Sequence, residues 1–160
     1  MGLFGFLGSK PFDHPQLGQL VRAHGKWIGR CGLPGQGDVS LELSGDKHSP
    51  GPKEIALATE IGAQFQRVRP AIEQALFEHY EPYQAAMDSG ELELPDEPLP
   101  RIAAPNGVLP YATLVAISID PLDAEDPIVE FVFETVWDME HRMGVRFSAR
   151  WEFVELCGSV

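Results

Sequence analysis

Nine positions between Ile55 and Tyr83 constrain this chain more than any other feature of its 160 residues. Ile55, Ala58, Ile61, Phe65, Val68, Ile72, Leu76, His79 and Tyr83 recur at intervals of three and four. Such intervals keep one face of an α-helix apolar, here for about eight turns. Ser49 or Gly51 can cap the start, and Pro50 and Pro52 suit a first turn. Pro70 falls inside the run without breaking its phase, so the pattern fits either one kinked helix or two helices meeting at Arg69-Pro70. Pro82 and Gly90 are read as ending it. A stripe this long has to be buried against something else.

The flanking sequence has the period of strands. Residues 12–45 predict an antiparallel meander of about three strands, with apolar Leu17, Leu20, Val21, Trp27 and Ile28 and a turn at Gly25. Val39, Leu41 and Leu43 then alternate with Ser40, Glu42 and Ser44, as in a half-buried strand. The last third carries three more runs: TLVAISID, IVEFVFETVW and VRFSARWEF. Val129, Phe131, Phe133, Thr135 and Trp137 share one face, as do Val145, Phe147, Ala149, Trp151 and Phe153. Setting Trp137 opposite Val145 aligns the two faces across a hairpin and leaves Glu134 diagonal to Arg146 and Arg150 as a charge ladder.

The expected class is therefore α+β: an antiparallel sheet from N-terminal and C-terminal strands, packed against one long, kinked or broken, helical segment. Residues 91–112, acidic and then rich in proline (Pro95, Pro98, Pro100, Pro105, Pro110), read as an extended loop over the sheet. The pieces on either side are too small to stand alone, so a single domain over residues 1–160 is expected.

Charge narrows the function classes. The net charge is −12, from 12 basic and 24 acidic residues. Residues 1–80 are balanced, with 8 of each sign, whereas residues 81–160 hold 4 basic and 16 acidic residues. No clustered Lys and Arg are present to meet nucleic-acid phosphates, and a one-sided negative field repels anionic membranes while steering basic partners. Cys31 and Cys157 match no metal-binding spacing and read as two thiols in a reducing compartment. The opening MGLFGFLGSKPF has neither the basic start nor the length of an export signal or a span, which points to the cytoplasm.

The sharpest chemical constellation is the hairpin tip WDMEHRMGV, where Asp138, Glu140 and His141 crowd together at the end of two strands. Carboxylates and an imidazole on a rigid tip can hold a divalent metal or move protons. Polar residues also belong in any exposed turn, with Gly144 supplying its dihedrals. His79, beside Glu78, Tyr80 and Tyr83, lies on the apolar stripe and reads first as a half-buried histidine with one hydrogen bond. Its functional alternative joins Glu140 and His141 in one site. GxSxG is absent, and GLPGQGD at 32–38 lacks the ending and setting of a phosphate loop.

FDHPQLGQLVRAHGKWIG at 12–29 and WDMEHRMGVRF at 137–147 together resemble a group of uncharacterised bacterial domains with an F, D, G-x-L, G-x-W opening and a W-D-x-E-H-x-x-G close. That resemblance implies a small soluble α+β protein, with some relatives proposed as immunity proteins of polymorphic toxin systems; it carries over no catalytic residue. Three expectations follow. The leading one is a non-enzymatic, cofactor-free, immunity-like module that binds a basic protein such as a toxin-like effector. The second is a metal-dependent enzyme using Asp138, Glu140 and His141, with His79 as a further member. The third is assembly, in which Phe4 and Phe6 dock on a partner or on a second copy to give a homo-oligomer.

Overall fold

The computed structural model describes residues 8–92, 98–123 and 125–159. Phe4, Phe6 and Pro95 lie outside the described residues. Eight strands form one sheet in chain order: β1 (Phe12–His14), β2 (Gly18–Ala23), β3 (Lys26–Leu33), β4 (Gly37–Leu43), β5 (Ala112–Asp120), β6 (Ile128–Thr135), β7 (Arg142–Phe147) and β8 (Phe153–Ser159). Every neighbouring pair is antiparallel except β4 and β5, which run parallel with Leu41 opposite Ile117. The sheet is thus mostly antiparallel, and the N-terminal meander has four strands where three were expected. The parallel pair follows from the long helix α1 (Pro52–Ser89), which lies in the chain between those two strands. A parallel ladder requires such a crossover, whereas each antiparallel pair closes through a short turn.

α1 is one helix of 38 residues, so the choice left open at Pro70 resolves to a continuous segment, and Pro82 does not end it. A proline inside a helix costs about 3 kcal/mol in a lost hydrogen bond and steric clash. Burial offsets this cost: Ile61, Phe65, Val68, Ile72, Leu76 and Tyr80 are all nearly inaccessible, on both sides of Pro70. Each such side chain is worth about 1.5–3 kcal/mol. Gly51 is the N-cap with Pro52 next to it. The end is set by Gly90, whose left-handed φ of 76° lets the Glu91 N–H reach the Ala86 carbonyl.

One contiguous apolar cluster draws on β2 through β7 and on α1. Phe65 meets Phe131 of β6 at 5.7 Å between ring centroids, and Phe131 meets Phe147 of β7 at 5.8 Å. The proline-rich stretch is anchored to α1 and also meets the end of β6, where the Val136 N–H donates to the Tyr111 carbonyl at 3.1 Å. Tyr80 Oη donates to the Pro100 carbonyl at 2.7 Å and accepts the Ile102 N–H at 3.0 Å, while Val108 and Leu109 enter the core.

The C-terminal hairpin keeps the expected faces in a different register. Phe131, not Trp137, stands opposite Val145, and Glu134 stands opposite Arg142. The shift is six positions, an even number, so both apolar faces still coincide. The charge ladder consequently has other rungs: Arg142 bonds Glu134 at 2.8 Å, and Arg146 bridges Glu130 at 2.6 Å and Glu155 at 2.9 Å. The third predicted run is two strands' worth of chain. β7 stops at Phe147 and turns through Ser148–Glu152, where Trp151 adopts φ 62° and donates its indole N–H to Glu60 of α1 at 2.8 Å.

Gly144 lies within β7 rather than in the turn, and its role is space. A Cβ there would stand 2.5 Å from Glu130 Oε1 and 3.0 Å from its Cγ. Glu130 is nearly buried and held by Arg146, so it has little room to yield. Gly144→Ala should therefore destabilise the fold by about 1–3 kcal/mol, read from urea unfolding. An unchanged midpoint would show that Glu130 moves aside freely.

Candidate functional site

The turn between β6 and β7 is built by side chains that compete with the strand ladder. The Asp138 N–H donates to Thr135 Oγ1 at 3.3 Å, and the His141 N–H donates to Asp138 Oδ1 at 3.2 Å. These bonds fold residues 136–141 back on themselves and end β6 at Thr135. Trp137 therefore leaves the strand and turns to α1. Its indole N–H donates to His79 Nδ1 at 2.9 Å, and its ring meets Tyr80 edge-on at 5.5 Å. Four residues along α1, Tyr83 Oη donates to Asp138 Oδ2 at 2.7 Å. Helix and turn are thus joined by two hydrogen bonds from residues one helical turn apart.

Of the four predicted site residues, three meet here in one network. Asp138 is only 8% exposed, with Oδ2 held by Tyr83 and Oδ1 within 2.9 Å of His141 Nδ1. His79 reaches the same turn through Trp137. Glu140 stands apart: it is exposed and makes no ion pair or hydrogen bond among the described residues. The tip is consequently no compact acidic cluster, since one carboxylate faces inward and the other faces water. Tyr83, read in the sequence as the last position of the stripe and a neighbour of His79 but not as a site residue, proves central; the i, i+4 spacing from His79 was its available signal.

Electrostatics follow the same division. Burial alone would raise the Asp138 carboxyl, but hydrogen bonds from Tyr83 and His141 outweigh it and hold the group below the usual range. Tyr83 is pushed up to about 12, first by burial and then by its bond to Asp138. Burial also lowers His79, with the His141 charge adding to that and Asp138 opposing it. The bond from Trp137 needs His79 Nδ1 unprotonated, so the neutral ring carries its proton on Nε2. On His141, Asp138 fixes Nδ1 and leaves Nε2 available to a ligand as donor or acceptor.

Beside this network lies an open groove of about 1020 Å³. Its walls are Pro98, Leu99, Pro100 and Tyr111 from the loop before β5, Thr113, Glu134 and Arg142 from the strands, and residues of the turn. Val136, Met139 and Tyr111 present exposed apolar surface, and Met139 is 89% exposed. None of these loop contributions was signalled by sequence spacing, because the segments converge only in three dimensions. Among the described residues, no three His, Cys, Asp or Glu side chains gather as metal ligands. No helix among them is long and apolar enough to cross a membrane. Cys31 of β3 and Cys157 of β8 are free thiols.

The chain belongs to DUF6985, a domain family of unknown function, whose model matches residues 20–156. The expected likeness to an uncharacterised domain family is thereby met. The matched span takes in α1, the groove and the β6–β7 turn. Comparison with curated proteins and with solved structures found no match.

Two outcomes follow from the network. Because the folded His79 binds its proton more weakly than the unfolded one, stability is present above its ordinary value of 6.5 and is lost as pH falls below it. Urea midpoints should drop over that window, and His79→Gln, which still accepts from Trp137 but cannot charge, should flatten the slope; equal slopes would clear His79. In an ultraviolet titration, Asp138→Asn should bring the Tyr83 transition down from about 12 towards the usual range. An unmoved transition would leave burial as the whole cause.

Proposed function

We propose that this chain is a non-enzymatic protein-binding module, immunity-like in holding a basic partner by surface complementarity. The observation that carries the reading is the groove: an apolar floor with Met139 almost wholly in water beside the exposed carboxylate of Glu140. A methionine held out on a hydrogen-bonded turn suits contact with another surface, since its flexible thioether adapts to varied partners. The turn itself is rigidly tied to α1 through His79 and Tyr83, so the contact surface is preorganised. Steering comes from the C-terminal half, with its 16 acidic against 4 basic residues.

The metal-enzyme reading finds less support. Both Asp138 oxygens are engaged by neighbours and Nδ1 of His79 accepts from Trp137, and among the described residues no three His, Cys, Asp or Glu side chains gather as metal ligands. Of the donor atoms that such a site needs, those of Asp138 and Nδ1 of His79 are already committed to holding the turn, which leaves Glu140 and Nε2 of His141.

Affinity capture from the native host with wild-type protein and Met139→Asp, followed by kinetics of the recovered partner, tests the proposal. A basic protein should be retained by the wild type and lost by the variant, with association slowing about tenfold as salt is raised. Salt-insensitive association, or full retention by Met139→Asp, would overturn it.

A further inference from the structure

The groove holds two acceptors that the fold itself does not use. Both guanidinium nitrogens that Arg142 offers to Glu134 go to the same oxygen: Nε at 3.0 Å and Nη2 at 2.8 Å, both to Oε1. Oε2 of Glu134 therefore has no partner among the described residues, and that carboxylate is half exposed. Glu140, which also lines the groove, has none either among the described residues. The polar groups of Trp137 and Asp138 in the turn are occupied, with His79 and with Tyr83 and His141 respectively. Glu140 contributes no contact that holds the turn together.

Around these acceptors the groove is apolar. Leu99, Val136 and Met139 offer aliphatic surface, and Tyr111 is 39% exposed, which leaves part of its ring open. Counting Glu134, Asp138 and Glu140 against Arg142, the walls are net negative. A ligand that complements this surface has one cation with apolar groups on either side. Among side chains, a guanidinium fits best: its planar fork can bond two carboxylates at once, and its face packs on an aromatic ring.

We propose that the groove between the β6–β7 turn and the 98–111 loop seats a single arginine side chain of an extended partner segment, with apolar neighbours in the segment lying on Leu99, Tyr111 and Met139. The assignment rests on the docking function proposed above and adds to it the chemistry of the segment. Glu134 Oε2 and Glu140 take the cation, and the existing Arg142 bond to Glu134 Oε1 stays in place. General acidity steers the partner from a distance, whereas this seat selects what touches.

Three blocked tripeptides test it by nuclear magnetic resonance titration of the full chain, read at the Met139 methyl and the His141 ring: N-acetyl-Leu-Arg-Leu-amide, its Lys analogue and its Gln analogue. The arginine peptide should shift both signals saturably, the lysine peptide should bind more weakly, and the glutamine peptide weakest of all. Glu140→Gln and Glu134→Gln should each weaken the arginine peptide about three- to fivefold, the range for a solvent-exposed ion pair. Glu140 makes no contact that holds the turn, so Glu140→Gln should keep the wild-type unfolding midpoint within error, whereas Glu134→Gln should lower it only by the small amount of one exposed ion pair. Equal binding of the Gln and Arg peptides would overturn cation recognition while leaving the groove a docking site. If no peptide moved either signal, the arginine seat and the groove as docking surface would fall together.

Discussion

Keeping α1 helical through two prolines is the constraint on which the remaining architecture depends. The helix carries the chain from β4 to β5 and so creates the one parallel ladder of the sheet. Its last buried turns also deliver Tyr80, His79 and Tyr83 to the far end of the molecule, where each takes a hydrogen bond to a different neighbour. Backbone bonds lost at Pro70 and Pro82 are recovered as buried area along the stripe. Ile72 and Leu76, beyond the first proline, are as inaccessible as Ile61 before it. Were the helix broken at Arg69-Pro70, its second half would have no reason to keep the phase that points His79 and Tyr83 at the turn.

Periodicity made the elements legible, and it failed where side chains redirect the backbone. The stripe from Ile55 to Tyr83 and the alternation of Val39, Leu41 and Leu43 both correspond to buried faces. Parity of the β6–β7 pairing was readable because side chains alternate every second residue; its register was not, because register is decided by the turn. There, Thr135 and Asp138 satisfy backbone N–H groups that a longer hairpin would have paired across the ladder. Trp151 is a similar case. Its alternation suggested a strand, but a left-handed backbone and a bond to Glu60 place it in a connection. Tertiary partners some ninety residues distant in sequence leave no trace in local pattern.

The candidate site was legible as composition and not as geometry. WDMEHRMG announces polar residues near a turn, yet its members do different work. Trp137 and Asp138 tie the turn to α1, Gly144 clears space for Glu130, and Glu140 and His141 face the groove. Nothing in the spacing separates the residues that build the turn from those whose polar atoms stay unbonded. That distinction needs the knowledge of which atoms are already bonded.

The strand order has a consequence for how the chain can fold. Seven pairings join strands adjacent in sequence, and six of them close through turns of a few residues. Only the ladder from Ser40–Leu43 to Ala116–Ile119 must wait for a long stretch of intervening chain to come together. The entropy of closing that stretch is concentrated in a single event, and forming α1 shortens the distance to be searched. The protein is in this sense two locally assembled ribbons with one late seam, and the helix that crosses the seam also holds the β6–β7 turn in place.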